Sequence, residues 1–193
     1  MQIAKAALLI LFLALPWTLR GQAIANTESI TRFETGGNFD WIHANAPPGQ
    51  CGCFSLIGGD ATFQMNITPR WAGMADVTYA HNGNVNVNGF AQSISIINYV
   101  FGPRYVWRRP SRYVPYGQVL FGGAKENVNF DFTINRQSFA IQTGGGVMTK
   151  IKPKIGINIV EVNYVYSRIP NAVNNTQNNL RISTGVTYHF GSH

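Results

Sequence analysis

Two side chains near the end of the chain, Ser183 and His189, are of the types that make a nucleophile and its general base. Six residues apart on one extended segment, they share a face but stand about 20 Å from each other at the rise of a β-strand. Such a pair needs hydrogen-bond reach, so these two cannot share a proton unless another element intervenes. Ser192 and His193 belong to a terminal tail. No catalytic residue is assigned. Cys51 and Cys53 are separated by one residue. A bond between them would close a small, strained ring; a loop disulfide is the first reading, and free or intermolecular thiols the next. Zinc wants four ligands, or three and a water, and only His43 and His81 are placed to help, so neither a metal nor a cofactor is assigned. Gly144-Gly145-Gly146 is followed by no helix start and is not a phosphate cradle. Asn66-Ile67-Thr68 and Asn174-Asn175-Thr176 match the N-glycosylation pattern only by chance.

The elements that must hold these residues are strands. In Asn179–Phe190, odd positions carry Arg181, Ser183, Gly185, Thr187 and His189, and even positions carry Leu180, Ile182, Thr184, Val186, Tyr188 and Phe190. Only Thr184 interrupts the apolar face. Alternation over about ten residues fits a strand with hydrocarbon on one side and a polar interior on the other. Reading on with a period of two predicts eight strands, at about 33–44, 59–67, 71–79, 92–107, 113–123, 138–149, 155–166 and 179–190. The sixth is weakened by its three glycines, which mark a bend, a bulge or a close backbone approach.

Connections alternate in length. Thr68-Pro69-Arg70, Arg108–Arg112 and Lys150–Lys154 are short, and each contains a proline, which presets a turn and cannot donate to a ladder. The other four, about 45–57, 80–91, 124–137 and 167–178, are longer and rich in Asn and Gly. Short turns at one rim and long loops at the other are the anatomy of an outer-membrane barrel. The short turns also hold seven of the Lys and Arg residues. Such a cationic ring would meet anionic headgroups, or simply keep the rim soluble. Neither use suits a nucleic-acid partner, which needs a basic patch on a supporting architecture.

Residues 1–25 have the pattern of a secretory signal: Lys5, the apolar run Ala6–Leu15, then Ala23-Ile24-Ala25 as a cleavage site. Residues 26–193 form the one remaining domain, and loss of Lys5 and Arg20 takes the formal charge from +7 to +5. Hydrocarbon offers no partners to backbone N–H and C=O groups, so without a membrane helix such a chain crosses only as a closed sheet. The expectation is an all-β, eight-stranded antiparallel up-and-down transmembrane barrel. Aromatics such as Trp41, Trp71, Tyr79, Tyr105 and Trp107 cluster near strand ends, as girdles do. An interior of this size holds side chains or one small ligand. Asp40, Asp76, Arg104, Glu161 and Arg181 are assigned to it, with Arg104 and Arg181 bridging Asp76, Glu161 and Asp40, because buried charges must be paired. A charged constriction in a narrow pore is the alternative use of the same residues.

These features resemble the OmpA-like outer-membrane β-barrel superfamily. Ala46–Phe54, Phe101–Arg104, Gln118–Ala124 and Asn178–Arg181 look like segments of small porin-family barrels within it. The resemblance implies an integral outer-membrane protein, exported through the Sec pathway, with a structural, envelope or loop-mediated interaction role. A narrow porin-like channel and a lipid-modifying outer-membrane enzyme are the alternatives. Expected partners are outer-membrane lipid and the barrel-assembly machinery, and a monomer is expected. Wall tethering is not carried over, because no C-terminal peptidoglycan-binding domain is present. The terminal Phe that signals to the assembly machinery would be Phe190, here followed by three more residues. A soluble ligand-holding barrel would need the opposite patterning, apolar inside and polar outside.

Overall fold

The computed structural model describes residues 30–45, 53–87, 90–109, 111–129, 133–169 and 176–192. The expected signal segment 1–25, with its expected cleavage site, and Cys51 lie outside the described residues. Eight strands follow in chain order: β1 (Thr31–Ala44), β2 (Phe54–Asn66), β3 (Trp71–Val87), β4 (Phe90–Val106), β5 (Tyr113–Asn129), β6 (Thr133–Lys152), β7 (Ile155–Ser167) and β8 (Gln177–Ser192). Each pairs antiparallel with its sequence neighbour, and β1 pairs with β8 to close the barrel. Closure leaves no strand edge unpaired in hydrocarbon.

The expected faces appear in the side chains. Phe63, Val77, Phe101, Val119, Val162, Ile182 and Val186 are exposed on the outside. Their in-strand neighbours Gln64, Asp76, Gln118, Glu161, Asn163 and Arg181 are buried inside. The lower rim carries aromatic ring contacts, Trp71 to Tyr105 at 5.0 Å, Tyr105 to Trp107 at 4.8 Å and Phe33 to Phe190 at 5.7 Å. Amphipathic rings of this kind settle at the headgroup level of a bilayer.

Two of the expected long loops are largely strand. β3 and β4 stay paired up to Val87 and Phe90, and β5 and β6 up to Asn129 and Thr133. With β4 and β5 also paired as far as Ser93 and Asn129, β3–β6 rise as a continuous wall. β1, β2 and β7 end lower, at 14, 13 and 13 residues against 17 to 20 for the wall strands. A tilted membrane strand needs only about 9–11 residues. The upper outward positions accordingly turn polar, with His81, Ser93, Ser95, Asn127, Asn135 and Gln137. Asn and Gly signal loops when read singly, but ladder pairing overrides that preference here.

Thr184, the break in the apolar face of β8, has a structural reason. The β7–β8 register shifts between Asn158 and Glu161, so Ile159 and Val160 together oppose Thr184. Both apolar residues therefore face outward. The Thr184 hydroxyl donates to the Asn158 carbonyl at 3.1 Å, using an acceptor at the bulge, where regular pairing is interrupted.

Candidate functional site

The interior is built around Arg181, which β8 carries into the lumen at 0% exposure. Its guanidinium donates to Asp76 at 2.6 and 3.2 Å, to Glu161 at 3.1 Å and to the Thr78 hydroxyl. Asp60 lies 3.5 Å and Asp40 3.7 Å away. Five strands thus meet at one cation: β1, β2, β3, β7 and β8. Secondary bonds fix the acids: Asp76 accepts from Thr78 at 2.8 Å and Gln142 at 3.1 Å, Asp40 from Ser183 at 2.5 Å, and Asp60 from Asn38 at 2.6 Å. Among the described residues, the second oxygens of Asp40 and Asp60 accept no hydrogen bond.

Arg104 joins the network through Glu161, at 3.3 Å. Its other bonds go to Gln118 at 2.7 and 2.9 Å and to Gln64 at 3.0 Å. The guanidinium lies 4.1 Å from the centre of the Tyr116 ring, a favourable cation–π placement. The Tyr116 hydroxyl in turn donates to Glu161 and lies 2.9 Å from the Asn158 amide oxygen. Glu161 therefore joins the two arginines. The glycines of β6 make room beside it: a Cβ on Gly146 would lie 2.6 Å from the Tyr116 hydroxyl, and one on Gly144 2.5 Å from the Asn163 amide oxygen.

Asp60 was not among the expected residues, although its phase with Thr62, Gln64 and Asn66 places it inside. A further set at the lower end was also missed. Arg108, expected only as a rim cation, turns inward to Asn66 at 3.1 Å and Glu34 at 3.5 Å, and donates to the Pro69 carbonyl at 3.0 Å. His189 stands 3.6 Å from Glu34. Ser183 and His189 thus serve different acids and do not meet. Cys53 is exposed just before β2, while His43 lies beside Ser55 and His81 beside Ser95.

Above the ionic layers the β1–β4 side of the lumen is apolar. Ile42, Ala44, Leu56, Ala80, Val85, Ile94 and Ile96 form a buried cluster that Phe54 and Val128 complete. A wholly polar interior is therefore not what this chain has, although Glu126, Ser167, Gln177 and Asn179 keep buried polar groups on the other side near the upper end. Between Arg104, Glu161, Glu34 and Thr187 a cavity of ≈ 20 Å³ remains, space for about one water molecule.

An apolar, aromatic-ringed exterior around a closed eight-strand sheet with an ionic interior defines an integral outer-membrane β-barrel. The comparisons with known proteins agree. The chain belongs to the family described as the outer membrane protein beta-barrel domain, whose sequence pattern matches residues 6–190. No curated protein matches in a sequence search. Among solved structures, the chain is similar to Neisserial surface protein A (TM-score 0.63, 16% identity, covering 83% of this chain and 98% of that one). It is also similar to Ail, the attachment invasion locus protein of Yersinia pestis (0.55, 15%, 81% and 98%). OprG from Pseudomonas aeruginosa is a third (0.52, 12%, 84% and 97%). At these identities the likeness is one of fold.

Proposed function

We propose that this outer-membrane barrel is a sealed, non-enzymatic structural element of the envelope that meets other molecules through its upper end. The observation that carries this reading is the fully buried Arg181 with four carboxylates within 3.7 Å. A conduit would need a continuous water path through that point, and the apolar cluster above it is a second barrier. The wall formed by β3–β6 supports an interaction role, because its polar outer face extends past the apolar belt. In the same reading the chain is exported through the Sec pathway with cleavage after Ala25, inserted by the barrel-assembly machinery, and works as a monomer.

Planar-bilayer recording on the purified protein tests this. The expected trace shows no discrete conductance steps. Reproducible single-channel steps from the unaltered protein would overturn the sealed lumen and favour the narrow porin-like alternative. Lipid A from cells with and without the protein should be identical, and a new lipid A species would favour the enzyme.

A further inference from the structure

The exposed charges of this barrel, among the described residues, are of one sign. Among the described residues, all six carboxylates, Glu34, Asp40, Asp60, Asp76, Glu126 and Glu161, are buried. The exposed charges are cations. At the short-turn rim they adjoin the aromatic girdle, and two turns come together there. The Arg70 carbonyl accepts from the Val106 N–H at 2.8 Å, and the Arg108 side chain ties the second turn to Pro69 of the first. Arg70, Arg109 and Arg112 are thereby carried on one stretch of rim, and all three are exposed. None of the three has an ion pair or side-chain hydrogen bond among the described residues.

Directly beside them, toward the hydrocarbon, Trp71, Tyr105 and Trp107 stack edge to face. Trp71 is 51% and Trp107 43% exposed. Three unpaired guanidinium groups above an apolar aromatic wall match an amphiphile with an anionic head and acyl tails. Guanidinium binds phosphate oxygens in a bidentate fork, and indole rings sit at the carbonyl level of the lipid. In outer-membrane barrels the short turns face the periplasm, so the amphiphile belongs to the periplasmic leaflet.

We propose that Arg70, Arg109 and Arg112, with the Trp71–Tyr105–Trp107 wall, form a binding site for the phosphate headgroup of an anionic glycerophospholipid. The site fixes the depth and tilt of the barrel at the rim where its side chains are otherwise unpartnered. It is separate from the lumen, so it stands or falls independently of whether the barrel conducts.

The test uses the full mature protein in nanodiscs of phosphatidylcholine with a minor fraction of phosphatidylglycerol. Native mass spectrometry then reads which lipid stays bound as collisional activation strips the rest. The unaltered protein should retain phosphatidylglycerol enriched well over its bulk fraction. Each lost cation should lower that enrichment by on the order of fivefold. The triple change Arg70→Gln, Arg109→Gln and Arg112→Gln should therefore retain lipid at the bulk ratio. Arg168→Gln at the opposite rim should keep the enrichment. The single changes carry the test if the triple variant fails to insert. Retention at the bulk ratio by the unaltered protein, or undiminished enrichment in the variants, would overturn the site. So would loss of binding to purified peptidoglycan in the triple variant with lipid retention unchanged, which would assign the cations to the wall polymer.

Discussion

Replacing Arg181 with methionine keeps an unbranched side chain and removes the cation that four acids share. The consequences differ from acid to acid. Asp76 would keep Thr78 and Gln142, and Glu161 would keep Arg104, Gln118 at 3.1 Å and Tyr116. Asp40 would be left with Ser183 and Asp60 with Asn38, and the second oxygen of Asp60 would lose the guanidinium that stands 3.5 Å from it. Removing one partner of a buried ion pair costs about 3–5 kcal/mol, and the two poorly held acids place this variant toward the upper end. Urea unfolding in phospholipid vesicles, followed by tryptophan fluorescence and by the mobility of unboiled samples in SDS gels, measures the loss. Adding Asp40→Asn and Asp60→Asn to the methionine variant should recover part of it, because no buried carboxylate on the described β1 or β2 is then without a cation. A loss of about 1 kcal/mol or less for Arg181→Met, the scale of a solvent-exposed pair, would refute the reasoning. It would mean that water screens these charges and that the lumen is open at mid-height.

Three further changes probe the frame. Gly144→Ala puts a Cβ 2.1 Å from the Val162 carbonyl oxygen, so the β6–β7 ladder must shift at a cost of about 1–3 kcal/mol, read as a lower urea midpoint. Thr184→Val makes the lipid face more apolar yet removes the hydroxyl bond to Asn158; a net loss of about 1 kcal/mol is expected, and a gain in stability would show that the bulge does not need that bond. Phe101, 70% exposed within the apolar belt, should cost about 2–4 kcal/mol when changed to arginine, and a cost near zero would place this face in water.

The faces of this barrel were legible because a period of two leaves little ambiguity where polar and apolar residues strictly alternate. Arg181 among Leu180 and Ile182 can only point inward if the outside is hydrocarbon. Asp60 was equally legible by its phase, and only its place at the start of the expected second strand hid it. The apolar upper lumen was not. Alternation from Asn98 puts Ile96 inside and Ile97 outside, but one inward apolar residue reads as an exception, and it is pairing with Ala80, and so with the rest of the cluster, that makes it part of an apolar layer. The bulge at Ile159 and Val160 was also hidden, since strict alternation from Glu161 would put Asn158 on the lipid side, whereas it is buried in the lumen. The height of the β3–β6 wall escaped for a third reason: Asn82-Gly83-Asn84 has turn chemistry, and cross-strand pairing that keeps the chain extended beyond it is a non-local property.

The placement of Arg181 also couples closure of the sheet to neutralisation of its interior. Its acidic partners sit on the first three strands and the seventh, while the arginine stands on the eighth. Without β8 the carboxylates of β1, β2 and β3 would lack this shared cation, and like charges at such spacing repel. The strand that closes the barrel is thus also the one that balances its charge.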